Sequence, residues 1–227
     1  MIRRLVALAL AVAAIGVVPS RPAPATPAAA RDWTRVVNRN AAGAFVMGNP
    51  AAPVKLVEYL SFTCSHCAHF SAEGLPALEA GYVRSGRVSV EFRHALRDPY
   101  DFTSALLARC GGPAAYTTVS KAIFAAQGDW LERAAAATPT PGQTRVATAR
   151  SVGLDAIARN KGIADARQAA CLANQREQRV LAGMAEEAWQ QRRIPGTPAF
   201  LINGQLVDGA AGWEQLEPAL RRALGSR

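Results

Sequence analysis

Two cysteines with two residues between them, in Cys64-Ser65-His66-Cys67, stand where a strand-like run hands over to helical periodicity. That junction constrains the chain more than any other feature. From Val54 to Leu60 the residues alternate: Val54, Leu56, Glu58 and Leu60 share one face, and Lys55, Val57 and Tyr59 the other. This is the period of a strand. Beyond the cysteines, Phe70, Leu75, Leu78 and Tyr82 recur at helical steps. Cys64 therefore falls at a helix N-terminus, where unpaired amides and the helix dipole favour thiolate over thiol. Three positions apart on a helix, the two sulfurs can meet as a reversible disulfide. Thiolate is also the species that attacks another disulfide. The spacing predicts a redox site.

The rest of the chain supplies a frame for it. Pro76 inside the helical run predicts a kink or a break, and Ser85-Gly86 its end. Val88, Val90 and Phe92 alternate with Ser89, Glu91 and Arg93, giving a second strand, expected parallel to the first with a right-handed crossover. The segment before about Ala44 is polar and reads as irregular. From about Asp101 to Arg192 the sequence is rich in Ala, Gln and Arg, with breakers at Gly111-Gly112-Pro113, Pro139-Thr140-Pro141-Gly142 and Lys161-Gly162. It predicts an all-helical insertion with Phe124, Trp130, Leu131 and Trp189 as its core. Strand signals return at Ala199 to Ile202, turn at Asn203-Gly204 and run on through Gln205 to Val207. A last helix is expected over Trp213 to Leu224, in which Pro218 must start a new turn or kink it. No internal repeat is visible.

The N-terminus has the pattern of an export signal: Arg3 and Arg4, an apolar run from Leu5 to Val18, then small residues. The run is short of the roughly 20 residues a membrane span needs and suits the roughly 7–15 of a signal core. Ala23-Pro24-Ala25 and Ala28-Ala29-Ala30 both offer a cleavage site, and a retained N-terminal anchor is the alternative. Export to the periplasm or a similar compartment lets disulfides persist, so all four cysteines can be functional or bridged. Removing residues 1–30 loses Arg3, Arg4 and Arg21 and no acid, which takes the net charge from +9 to +6. That charge is spread over helices without a Lys/Arg run, which points to a solvated basic surface and away from a nucleic-acid partner.

Three blocks in order carry a resemblance: Gly48-Asn49-Pro50-Ala51-Ala52-Pro53-Val54 leading into Val57-Glu58-Tyr59, then Cys64-Ser65-His66-Cys67, then Gly196-Thr197-Pro198-Ala199-Phe200-Leu201-Ile202-Asn203-Gly204. With the element order β-α-β, helical insert, β-β-α, the chain resembles the DsbA-like thiol–disulfide oxidoreductases from about Phe45 onward. The resemblance implies an α/β thioredoxin fold with an inserted all-helical domain. The expected division is a signal over 1–30, an N-terminal extension over 31–44, a thioredoxin-fold unit over 45–98 and 193–227, and a helical insertion over 99–192.

The resemblance also implies roles. Cys64 is the exposed nucleophile and Cys67 the buried resolving thiol. Glu58, six residues before Cys64, is the proton acceptor for Cys67. Pro198 is cis beside the disulfide, and backbone at Thr197 and Pro198 pairs with substrate peptide. From the residues alone, Glu58 on an apolar strand face is expected to have a raised pKa, with a salt-bridged strand residue as the alternative. His66 either adds a positive or hydrogen-bonding neighbour to the thiolate or is an exposed spacer. His69 and His94 read as surface and structural residues, and Pro195 as a helix terminator. Cys110 and Cys171 in the insertion are expected to form a structural disulfide, with two buried free thiols as the alternative. Haem attachment is disfavoured because residue 68 is Ala. A zinc or copper carrier using Cys64, Cys67 and His66 or His69 lacks a second short-spaced ligand pair.

No metal, flavin or nucleotide signature is present, so the disulfide itself is the expected redox group and no cofactor is assigned. The expected activity is oxidation of reduced or misoxidised client proteins by a monomer, with a quinone-linked membrane partner implied by the resemblance. Thr197 before Pro198 departs from the Val of the best-known oxidase and is similar to the isomerases, and Ser65 replaces the Pro familiar in that oxidase. A disulfide isomerase or reductase of the same fold is the competing reading.

Overall fold

The computed structural model describes residues 31–138 and 142–225. The proposed signal over 1–30 and the breaker at Pro139-Thr140-Pro141 lie outside the described residues. Six strands form one sheet in the order β1-β2-β4-β3-β5-β6. They are β1 (Val37–Arg39), β2 (Phe45–Met47), β3 (Val54–Leu60), β4 (Val88–His94), β5 (Ala199–Ile202) and β6 (Gln205–Leu206). β3 runs parallel to β4, pairing Glu58 with Phe92, and antiparallel to β5, pairing Glu58 with Phe200. Glu58 thus lies on the central strand.

The segment before Ala44 is not irregular, as its polarity led us to expect. Trp33–Arg35 forms a 3-10 turn and Val37–Arg39 pairs antiparallel with β2, which in turn pairs with β4. A short edge strand needs only backbone hydrogen bonds, so its side chains can be polar and leave no alternation to read. The turn at Asn203-Gly204 has φ of 50° and 84°, the pair of positive values that a two-residue hairpin turn requires.

After Cys64, α1 (Ser65–His69) continues without interruption through a wide π turn (Phe70–Gly74), α2 (Leu75–Leu78) and a second π turn (Glu79–Val83). Pro76 therefore does not break the helix. The wider turns on either side shift the hydrogen-bond register, which accommodates a residue that has no N–H to give. Pro218 likewise sits inside a single final helix, α10 (Trp213–Gly225).

Between β4 and β5 the chain is helical: α3 (Pro99–Cys110), α4 (Pro113–Ala125), α5 (Gln127–Ala136), α6 (Arg145–Val152), α7 (Leu154–Asn160), α8 (Asp165–Leu172) and α9 (Gln175–Glu186), the last extended by a π turn over Glu187–Gln191. Among the described residues, no helix is long and apolar enough to cross a membrane.

One face of the sheet, with Leu56, Leu60, Val90, Phe92, Phe200 and Ile202, shares its core with α1, α2, α10 and the insertion. Trp130 and Phe124 are buried in that core, and Leu131 packs on it. Trp189 does not join them. It packs against the opposite sheet face with Tyr59, Ala95 and Leu201, and its indole N–H donates to the Leu96 carbonyl at 3.0 Å. Trp189 lies in the π turn over Glu187–Gln191, and sequence periodicity gives no sign of which sheet face it takes.

Candidate active site

The strand-to-helix turn places Cys64 as the N-cap of α1, with φ −97° and ψ 120°, and Cys67 one turn inside. Both are free thiols. Cys67 is wholly buried and Cys64 is only 5% exposed. Cys64 is therefore less open than the resemblance implied, because the loop before β5 lies against it. As a thiol, Cys64 donates to the Thr197 carbonyl at 2.9 Å. The Thr197–Pro198 peptide bond is cis.

The two sulfurs differ sharply in acidity. The Cys64 pKa is lowered to about 4, first by a hydrogen bond from the Cys67 thiol. Burial opposes this, while the Thr197 hydroxyl and the backbone amides of Cys67 and His66 lower it further. The Thr197 hydroxyl is buried with no hydrogen-bond partner among the described residues, so its hydrogen is available to the thiolate. Cys67 is pushed well above the usual thiol range, by burial first, then by its bond to Cys64 and by the negative charge there. The Ser61 N–H reaches the Cys67 sulfur at 3.5 Å.

His66 takes part through its backbone. Its imidazole is exposed, away from the sulfur's hydrogen bonds, and what reaches the thiolate is its N–H. His69 faces solvent near Glu73, at 3.5 Å. His94 is wholly buried between the Phe62 and Tyr116 rings, and burial with the Arg109 charge holds it well below its ordinary pKa.

Glu58 is 3% exposed, and burial raises its carboxyl pKa to about 8. No salt bridge to it is found among the described residues, so the strand-paired alternative has no support. Its charge is one of the influences that raise Cys67. Glu58 borders a small cavity of about 20 Å³ with Ser71, Thr117, Ser120 and Lys121, enough for about one water.

Cys110 and Cys171 are bridged, with Cα atoms 5.5 Å apart, joining α3 to α8. No three His, Cys, Asp or Glu side chains converge as a metal site among the described residues.

Asp98, Asp101 and Gln127 also reach this site, though only one of them has a sequence signal. The loop entering Cys64 is held from the insertion. Asp101 accepts from the Ser61 hydroxyl at 2.6 Å and the Phe62 N–H at 2.7 Å. Asp98 accepts from the Thr63 hydroxyl at 2.6 Å. The Gln127 amide donates to the carbonyls of Phe62 at 2.7 Å and Cys64 at 2.9 Å. Asp98 could have been found as an N-cap, since Asp98-Pro99 is the start signal of a helix. Asp101 and Gln127 have no such signature.

Comparison with known proteins agrees with these parts. The thioredoxin family model matches residues 40–222. A solved protein-disulfide isomerase from Novosphingobium aromaticivorans is 32% identical, with a TM-score of 0.74 over 79% of this chain and 96% of that one. Wolbachia pipientis alpha-DsbA1, 20% identical with a TM-score of 0.68 over 83% of this chain and 94% of that one, shares the fold. A Rickettsia conorii protein provisionally named a protein-disulfide oxidoreductase is 26% identical over 79% of this chain. The chain spans 60% of the length of that curated relative. The sheet with its helical insertion is thus a thioredoxin fold, and a family match running from β2 into the last helix makes this chain a member of the thioredoxin family.

Proposed function

We propose that this protein is an exported thiol–disulfide oxidoreductase that acts chiefly as a dithiol oxidase on client proteins. In the oxidised enzyme a client thiolate attacks the Cys64 sulfur, and the Cys64–Cys67 bond breaks. A client–Cys64 mixed disulfide forms and Cys67 leaves with the electron pair. Cys67 then takes a proton, for which the buried Glu58 carboxyl is the nearby source. A second client thiolate attacks the client sulfur of the mixed disulfide and releases the Cys64 thiolate. The client has lost two electrons to the enzyme dithiol, and a quinone-linked membrane partner is the proposed acceptor for them.

The observation that carries this is the contrast between the two cysteines. A Cys64 pKa of about 4 favours the reduced enzyme at pH 7 by the three units between ambient pH and that value. That is about 4 kcal/mol, or roughly 90 mV toward a stronger oxidant. Cys67 is protonated throughout and adds nothing to this balance. Roles for His66, through its amide, and for Thr197 and Pro198, as the backbone that receives client peptide, follow the same proposal. So does the division into a thioredoxin unit and an insertion. A monomer suffices for it, because no step requires two sites.

Isomerase activity is the second reading. It is favoured by Thr197 before the cis proline and by the similarity to the Novosphingobium protein, which is named a protein-disulfide isomerase. The purified protein, oxidised, is expected to convert a reduced two-cysteine peptide to its disulfide stoichiometrically. Efficient rescue of scrambled disulfides with negligible peptide oxidation would establish the isomerase instead. A Cys64–Cys67 pair more stable oxidised than reduced would do the same.

A further inference from the structure

We propose that Asp101 and Gln127 of the helical insertion are positioning residues for Cys64, holding the Ser61–Cys64 segment so that the amides at the start of α1 meet the sulfur. This deepens the oxidoreductase reading and rests on it. Ser61 is the joint. Its N–H points to the Cys67 sulfur, while its hydroxyl donates to Asp101 Oδ2. Asp101 Oδ1 takes the next N–H, from Phe62, and Oδ2 also takes the Arg97 N–H at 3.0 Å. Gln127 then caps the carbonyls of Phe62 and Cys64, the latter already the acceptor for the first turn of α1 through the Ala68 N–H at 3.2 Å.

Asp101 is wholly buried and Gln127 is 7% exposed. Loop peptide groups ordinarily turn to water. Here a carboxyl and an amide from another layer replace it along the Ser61–Cys64 segment. The N-cap dihedrals of Cys64 are thereby set from outside the strand–helix unit. Amides stabilise a thiolate only at hydrogen-bond distance and angle, so a loosened N-cap weakens them steeply. Burial raises the Asp101 carboxyl pKa to about 7, so the group is mostly uncharged where Cys64 titrates. Asp101→Asn therefore removes an oxygen that holds the Ser61 hydroxyl and the Arg97 N–H, and not a charge near the sulfur. A shift of Cys64 in that variant reports the clamp.

The test uses the full chain with Asp101→Asn and, separately, Gln127→Met, which keeps the volume and loses both donors. Cys64 alkylation rate against pH is read in the reduced protein, alongside the thermal midpoint. The expected result is a rise of one unit or more in the Cys64 midpoint in each folded variant, a tenfold loss of thiolate stabilisation. An unchanged or lowered midpoint in either folded variant overturns the proposal, whatever happens to its thermal midpoint. Should Asp101→Asn not fold, Gln127→Met decides alone. Alkylation does not depend on client turnover. A parent protein unable to oxidise the peptide would refute the oxidase reading while leaving this comparison intact.

Discussion

The Cys64 thiol donates to the Thr197 carbonyl at 2.9 Å, across 133 positions of sequence. The Thr197 hydroxyl is buried with no hydrogen-bond partner among the described residues, and it lowers the Cys64 pKa. One residue thus presents an acceptor to the thiol and leaves a donor free for the thiolate. Its carbonyl is fixed by the backbone, so only the donor can be removed by substitution. Thr197→Val is expected to raise the Cys64 pKa from about 4 by about one unit, the scale of one hydrogen bond to a charged group. Thiolate absorbance against pH measures it. An unmoved midpoint would show that the hydroxyl plays no part.

Glu58 is expected to destabilise the fold as pH rises. Its folded pKa of about 8 exceeds the unfolded value, so the folded protein holds a proton that the unfolded chain releases. Stability contributed by this group is fully present below about pH 4.5 and is lost progressively up to about pH 8. Glu58→Gln, which cannot ionise, is expected to stabilise by up to about 3 kcal/mol at pH 7 and by nothing at pH 4. Denaturant titrations at the two pH values check this. Client turnover is expected to fall in the same variant, because Cys67 loses its proton source.

Replacing both Cys110 and Cys171 by Ala is expected to cost up to about 4 kcal/mol through the 61-residue loop that the bridge closes. Chemical denaturation of the double variant measures the loss. The bridge is also expected to outlast the Cys64–Cys67 disulfide in mild reductant, which trapping and peptide mapping decide.

Arg109 has a wholly buried side chain that donates to Glu177 at 2.5 Å and to the Gly43 carbonyl at 2.6 Å, tying α3 to α9 and to the β1–β2 turn. Glu177→Ala would leave a buried cation without its counter-charge and is expected to destabilise by about 3–5 kcal/mol. Glu177→Ala and Arg109→Met together are expected to cost less than Glu177→Ala alone. A double variant at least as unstable as the single one would contradict this.

Local sequence determined what depends on neighbours along the chain. Alternation over Val54–Leu60 and Val88–Phe92 marked β3 and β4, Asn203-Gly204 marked the hairpin, and the Cys64–Cys67 spacing at a strand-to-helix junction marked the site. These are short-range signals, carried by backbone periodicity and by residues that only certain turns admit. Glu58 too was legible, because a carboxyl on the apolar face of a central strand meets desolvation wherever the rest of the chain goes.

What sequence left open was decided by contacts between distant segments. Strand β1 exists because β2 offers it a hydrogen-bonding edge, and Pro76 is carried through its helix by π turns that packing makes tolerable. Trp189 chose the far face of the sheet, and His66 came to act through its amide. Asp101 and Gln127 reached the approach to Cys64 only when the insertion folded back onto the sheet. Hydrogen bonds to a loop backbone accept almost any donor or acceptor at the right distance. Such partners therefore have no motif, and only the tertiary structure can select them.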